Sequence, residues 1–358
     1  MPSQTDWLAA LSPWPEEFGL GRMHALLAEL GQPQRRYPAI HVVGTNGKST
    51  ATRRAAAFLV REGLSAGAYT SPHVAGWSER IQLDGEDADL EAALARIRAA
   101  AERVGATQFE ALTAAALAEF AAAGVEVAVV EAGLGGRLDA TNVLEAGIVG
   151  LTNVSLEHTD VLGATRPQIA REKLAVVSPG ATVVLGEGEW EGIARANGAA
   201  EIVRSDDLGR TLAERFLGRP LAGEVRTGLH GRFDLVGEDV YAGAHNPAGV
   251  DWLLARLPRR DYVLCVAILA DKDARAMLAG LRRTGGEFVA TETQGGRSLP
   301  AAELARLARE FFPAVESVAD AGAALERARE LAGERGAVLV TGSLYLIRDL
   351  FGRLETVR

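Results

Sequence analysis

Gly44-Thr45-Asn46-Gly47-Lys48-Ser49-Thr50 follows the β-favouring residues Ile40 to Val43 and runs into an Ala-rich helical stretch ending at Arg61. Strand, glycine turn and Lys-Ser at a helix start form a phosphate cradle. The glycines let backbone N–H groups converge on a polyphosphate, the helix start adds partial positive charge, and Lys48 adds a full one. Ser49 or Thr50 offers a hydroxyl to Mg²⁺. Val42 stands where the full Walker pattern has its first glycine.

Such a cradle needs a metal and a γ-phosphate acceptor. Ser71 lies in Tyr69-Thr70-Ser71-Pro72-His73, after a short strand. Glu131 ends the apolar run Val125–Glu131, where a carboxylate is costly unless paired or metal-bound. Glycines at 133, 135 and 136 allow close approach to a ligand. His158 falls in Leu156-Glu157-His158-Thr159-Asp160, and Lys173 in Arg171-Glu172-Lys173-Leu174. Taken singly, a loop histidine is ordinarily solvated and a helix lysine ordinarily exposed. Together these residues follow strand ends, where open parallel sheets bind ligands. Mg²⁺ prefers oxygen, so Ser71 and Glu131 suit it. His158 is a softer ligand, tolerable when phosphate oxygens complete the shell.

The elements that must position these groups alternate along the chain. Strands are expected at Ala39–Val43, Val125–Glu131, Gly147–Leu151 and Thr182–Leu185, then at Asp239–Ala242, Tyr262–Leu269, Glu287–Ala290 and Ala337–Thr341. Helices are expected at Asp89–Val104, Phe109–Ala122 and Ile169–Val177, the last with Thr165 as cap, Pro167 in its first turn and Gln168 completing a capping box. This alternation predicts an α/β fold with parallel sheets covered by helices. A glycine-rich, weakly periodic stretch between about Leu217 and Gly237 reads as a domain junction, giving domains 1–228 and 229–358. The 358 residues, 48% hydrophobic and 24% charged, suffice for two cores, and a net charge of −9 without a basic block disfavours nucleic acid and acidic membranes. No apolar run is long enough to span a bilayer, and no basic apolar leader is visible, so a cytoplasmic location is expected. Lone Cys265, inside an apolar run, reads as a buried small hydrophobe.

In order along the chain, Gly-Thr-Asn-Gly-Lys at 44–48, Thr-Ser-Pro-His at 70–73, Ser-Glu-Arg-Ile at 78–81 and Gln-Phe-Glu at 108–110 are followed by Glu-Ala-Gly-Leu-Gly-Gly-Arg-Leu-Asp-Ala-Thr-Asn at 131–142. Leu-Glu-His-Thr-Asp-Val-Leu-Gly at 156–163, Ile-Ala-Arg-Glu-Lys at 169–173, Gly-Arg-Phe at 231–233, Ala-His-Asn-Pro at 244–247, Ala-Asp-Lys-Asp at 270–273 and Thr-Gly-Ser-Leu-Tyr-Leu at 341–346 complete the series. With these segments the chain resembles the folylpolyglutamate synthase/dihydrofolate synthase family of the Mur-ligase superfamily.

The resemblance implies a P-loop, Mur-ligase-like central domain with a parallel-rich sheet and a smaller Rossmann-like C-terminal domain, with ATP bound between them. It implies an ATP-dependent ligase that forms an acyl phosphate on a folate or pteroate acceptor, which the amine of L-glutamate then attacks with release of phosphate. ATP would be met by Gly44, Thr45, Asn46, Gly47, Lys48, Ser49, Thr50, Arg232 and His245. One or two Mg²⁺ ions would be held by Ser71, Glu131 and His158, and Lys173 would be carbamylated. Lys48, Lys173 and His158 would carry the chemistry, and Arg80, Phe109 and Glu110 are assigned to the acceptor. A monomer is expected. Two departures stand out. Ser49 occupies a position that is usually glycine, and Ala242 replaces an aspartate three residues before His245, with Asp239 the nearest carboxylate. Looser nucleotide selection is the expected consequence.

Two other readings are open to the same residues. A Mur ligase of cell-wall synthesis would carry a further domain of about 100 residues before the loop, whereas 43 residues precede Gly44 here. A P-loop regulator would turn over nucleotide without ligating anything.

Overall fold

The strand-forming runs are short and apolar at nearly every position, as strands covered on both faces require. The computed structural model describes residues 3–258, 261–294, 296–334 and 336–355 and divides into two units, Met1–Gly228 and Leu229–Arg358.

The strands of the first unit are β1 Ala39–Val43, β2 Ala66–Tyr69, β3 Ile81–Leu83, β4 Glu86–Asp87, β5 Val127–Glu131, β6 Ile148–Leu151, β7 Thr182–Leu185 and β8 Glu201–Arg204. They form one sheet in the order β4-β3-β2-β5-β1-β6-β7-β8, parallel from β2 to β8, with β3 antiparallel to both β2 and β4. Side chains alternate between two cores. Ile40, Val42, Val127 and Val129 pack with Phe58 and Leu59 of the helix Lys48–Arg61 and Leu212 of the helix Leu208–Leu217. Ala39, Val43, Ala128 and Val130 face the helices Leu90–Val104 and Gln108–Ala123. Both faces covered makes every position of β1 and β5 buried, so these strands read as unbroken apolar runs.

Register then positions the chemistry. Val42 pairs with Glu131 and Val43 with Leu151, so the loops leaving β1, β5 and β6 emerge side by side from one edge. Tyr69 pairs with Val130, which brings Ser71 to the other flank of Glu131.

The second unit holds β9 Arg232–Val236, β10 Asp239–Ala242, β11 Val263–Val266, β12 Glu287–Ala290, β13 Ala314–Ser317 and β14 Val338–Thr341, in the order β13-β12-β11-β14-β10-β9. All neighbours are parallel except β9, which pairs antiparallel with β10. Its core gathers Val240, Leu264, Phe288 and Leu339 against Leu253, Leu278 and Leu304. Cys265 is fully buried and burial pushes its thiol up to about 12, so it packs rather than reacts.

Several expectations shift. The glycine-rich stretch contains β9, whose antiparallel edge position gives little periodicity. The short strand expected before Ser71 is β2, whereas β3 and β4 were not legible because they hold three and two residues. The strand expected over 262–269 stops at Val266. The helix expected over 169–177 runs Arg166–Leu174, because Pro167 sits in its first turn and Thr165 caps it. Gln168 N–H donates to Thr165 Oγ1 at 3.4 Å, and Thr165 N–H donates to Gln168 Oε1 at 3.1 Å.

Thr165→Ala removes that cap from the helix that carries Lys173. It is expected to cost about 1 kcal/mol and to lower the first unit's thermal midpoint by about 2–4 °C in calorimetry.

Candidate active site

Gly44 is the first residue beyond β1, and no side chain fits there. A Cβ on it would lie 1.8 Å from Thr152 Oγ1, and its φ is +146°. The turn after it is fastened to the loop leaving β6. Thr45 N–H donates to the Asn153 carbonyl at 2.9 Å, Asn46 N–H to Asn153 Oδ1 at 3.0 Å, and Asn153 Nδ2 back to the Asn46 carbonyl at 3.2 Å. Ser155 N–H donates to Thr45 Oγ1 at 3.1 Å. Gly47, at φ +82°, then starts the helix Lys48–Arg61 without a side-chain cap. Lys48 folds back over the turn, donating to the carbonyls of Gly44 at 3.0 Å and Thr45 at 3.2 Å.

Glu131 is 1% exposed at the end of β5. Ser49 Oγ donates to its Oε1 at 3.2 Å and Ser71 N–H to its Oε2 at 3.0 Å. Of the two hydroxyls after Lys48, it is therefore Ser49 that meets the carboxylate. Among the described residues no three His, Cys, Asp or Glu side chains converge as a metal set. The donors brought together are instead hydroxyl and carboxylate oxygens, a set that suits Mg²⁺ with phosphate oxygens and water completing its shell. His158, at φ 45°, starts the short helix Thr159–Leu162.

Lys173 is 1% exposed, which corrects the ordinary expectation for a helix lysine. Its Nζ donates to the Gly44 carbonyl at 2.8 Å and to Glu157 Oε1 at 2.6 Å. Burial opposes the Glu157 charge, but Lys173 and Lys48 outweigh it and hold the carboxyl at about 2. Burial and the nearby Lys48 charge lower Lys173, against the pull of Glu157. The helix bearing Lys173 touches the glycine turn after β5. A Cβ on Gly136 would lie 2.5 Å from the Lys173 carbonyl, and Arg137 N–H donates to the Glu172 carbonyl at 3.0 Å.

The residues assigned to the acceptor make different contacts. Glu110 is buried at the start of the helix Gln108–Ala123, where its Oε2 accepts from Thr107 N–H at 2.8 Å and its carboxylate pairs with Arg22. It is a capping and pairing residue, and its oxygens are already engaged. Phe109 packs its ring on Gly133 and lies 6.2 Å from the Tyr69 ring. Arg80 donates to His73 Nδ1 at 3.0 Å and stacks over Trp77.

In the second unit Arg232 pairs with Ala242 across the β9–β10 ladder, beside a register shift. His245 Nδ1 lies 3.2 Å from the Gly243 carbonyl, just before Asn246 caps the helix Pro247–Leu254. Asp239 does not stand in for the missing aspartate. It lies at the other end of β10 from Ala242, accepting from Val338 N–H at 2.8 Å and Arg329 Nε at 3.1 Å.

Glu157, Asn153 and Arg53 carry roles that reasoning from the sequence did not assign. Arg53 is buried and donates to Thr70 Oγ1 at 3.4 Å and to the Glu79 carbonyl, tying the cradle helix to the Ser71 segment. The signal for Glu157 was its place one residue before His158 in a polar cluster at a strand end.

The family described as Mur ligase, glutamate ligase domain, matches residues 231–344. The dihydrofolate synthase/folylpolyglutamate synthase of Mycobacterium tuberculosis (strain ATCC 25618 / H37Rv) is 30% identical over 450 residues, covering 95% of this chain and 92% of that protein. The structure of Mycobacterium tuberculosis folylpolyglutamate synthase complexed with ADP is similar at a TM-score of 0.91 and 27% identity, covering 98% of this chain and 97% of that one. A bifunctional folylpolyglutamate synthase/dihydrofolate synthase with Mn, AMPPNP and L-glutamate bound is similar at a TM-score of 0.86 and 27% identity, covering 99% and 98%.

Glu157→Gln leaves a buried ammonium without its counter-charge and is expected to cost about 3 kcal/mol in chemical denaturation. The Glu157 carboxyl is depressed from 4.5 to about 2. Its contribution is therefore full above about pH 4.5 and lost as pH falls towards 2. The stability gap between wild type and Glu157→Gln should narrow over that window.

Proposed function

The chain belongs to the folylpolyglutamate synthase/dihydrofolate synthase family, and on that footing we propose that it joins L-glutamate to a folate-type carboxylate using ATP. The acceptor is tetrahydrofolate to be extended, dihydropteroate to be converted to dihydrofolate, or both. The observation that carries this reading is the meeting of Lys48 and Lys173 on the Gly44 carbonyl, with the Glu131–Ser49 pair one residue beyond Lys48.

A carboxylate is a poor acyl donor because its carbon is electron-rich. Transfer of the γ-phosphoryl group of ATP to the acceptor carboxylate gives an acyl phosphate and ADP. The glutamate amine then attacks the acyl carbon, phosphate leaves, the amine loses a proton and the amide forms. The protein's task is alignment and cancellation of charge between two anions. Lys48, held on two loop carbonyls, can exchange them for phosphate oxygens, and the backbone N–H groups of the turn add fixed dipoles. Glu131, Ser49 and Ser71 would hold Mg²⁺, with His158 a further ligand. The ion supplies neutralisation of the phosphate charge. Arg232 and His245 are assigned to the nucleotide on their motifs. Lys173 is assigned a carbamate: burial favours its neutral amine, which adds CO₂, and the anionic product suits a site rich in cations.

Purified protein with Mg·ATP, L-glutamate and each acceptor in turn should yield products heavier by one glutamyl residue, with one ADP formed per bond, as read by mass spectrometry. ATP turnover that needs neither acceptor nor glutamate would overturn the ligase reading in favour of a nucleotide-hydrolysing regulator. Lys48→Ala should lower kcat at saturating ATP by at least about 10²-fold, since backbone dipoles cannot replace a full charge. Lys173→Ala should lose activity, with part of it returned by acetate or formate. Full activity in that variant would sink the carbamate.

A further inference from the structure

His41 sits in the middle of β1 between two strands, fully buried, on a face otherwise given to apolar side chains. A polar ring there is costly unless it is partnered. Its partner is Thr141: His41 Nε2 lies 2.8 Å from Thr141 Oγ1. Thr141 Oγ1 has one proton, and it goes to Asp139 Oδ1. The threonine oxygen must therefore accept from His41, so the imidazole carries its proton on Nε2. Its Nδ1 is buried with no hydrogen-bond partner among the described residues. Burial holds the ring neutral, with its pKa pushed down to about 4, so this arrangement persists at neutral pH.

Asp139, also buried, uses the fixed orientation. Thr141 N–H and Oγ1–H occupy Oδ1, which leaves Oδ2 for Leu134 N–H at 2.8 Å, and the Gly133 amide adds to the set. These are the first amides of the turn beyond Glu131. The last sheet bond of that chain is Ala132 N–H to the Val42 carbonyl at 3.0 Å, and past it the carboxylate of Asp139 sets the backbone path. The same turn ends against the carbonyl groups of Glu172 and Lys173.

We propose that His41 is a positioning residue which, through Thr141 and Asp139, fixes the turn at 133–136 and so sets Glu131 for a divalent metal. This rests on the metal-dependent reading above. The role differs from plain core packing, because what matters is one directed N–H rather than the volume of the ring.

The test uses His41→Leu, which removes the donor, and His41→Gln, whose amide nitrogen can replace Nε2. Binding of Mn²⁺ in the presence of a non-hydrolysable ATP analogue is read by loss of the free-ion EPR signal, with thermal midpoints alongside. H41L should bind Mn²⁺ about tenfold more weakly, and H41Q within about threefold of wild type. The double variant H41L/T141V also takes the hydroxyl donor from buried Asp139, so its midpoint should fall below that of H41L while Mn²⁺ binding stays weak. Wild-type Mn²⁺ affinity in H41L, or H41Q no better than H41L, would overturn the proposal. So would recovery of Mn²⁺ binding together with stability in the double variant. Should H41L not fold, T141V breaks the same link from its other end and takes its place in the comparison with H41Q. If wild type binds no Mn²⁺ with the analogue, the metal reading falls on its own account. Amide exchange at Leu134, faster in H41L than in H41Q if the relay operates and equal in both if it does not, then decides His41.

Discussion

The carbonyl oxygen of Gly44 accepts from two ammonium groups, Lys48 at 3.0 Å and Lys173 at 2.8 Å, and the architecture around it follows from making that arrangement bearable. Two lone pairs permit two donors, but the two cations repel. Glu157, held ionised at about 2, compensates one of them and leaves one positive charge facing the cradle. The carbonyl reaches this point only because residue 44 lacks a side chain, with Thr152 filling the place a Cβ would take. Two cations converging on one carbonyl, Lys173 buried and Lys48 half-buried, are a poor stability device and draw anions.

The sheet supplies the remaining precision. Parallel neighbours β5, β1 and β6 are in register at Val42–Glu131 and Val43–Leu151, so three loops leave one edge within reach of each other. Each loop is then tied to another. Asn153 clasps the backbone of Asn46, Glu131 accepts from Ser49 and Ser71, and the turn after β5 rests on the helix of Lys173. Loops held this way lose little further freedom when a ligand binds, which favours affinity.

The buried strands were legible because two covered faces leave an unbroken apolar run; β1, β7, β10 and β12 begin and end where the residue pattern places them. The capping box at Thr165 was legible because its chemistry is local. What escaped was set by partners distant in sequence. β9 is an edge strand whose pairing with β10 decides it, and Glu110 is paired with Arg22, 88 residues away. Burial of Lys173 could not be seen from a helix whose neighbouring residues are Glu172 and Arg171, because it depends on Gly44 and Glu157 arriving from other strands. His41 passed as one of the β-favouring residues of its strand, because its role depends on Thr141, 100 positions on.

Ala242 is the position at which this chain departs from the aspartate of the pattern it resembles. Its methyl is buried among the apolar residues of that core, and its carbonyl accepts from Thr341 Oγ1 at 2.6 Å. A methyl here avoids desolvating a carboxylate and adds to packing. It also forgoes a charged acceptor at the end of β10. Asp239 cannot supply one, because it lies at the far end of the strand and is committed to Arg329 and the start of β14. On the proposed reading, recognition of the nucleotide then rests less on sugar hydroxyls and more on phosphate charge. Within the cradle the charge for that task is Lys48, held on the carbonyls of Gly44 and Thr45, whereas Lys173, once carbamylated, is anionic and bears on the metal instead.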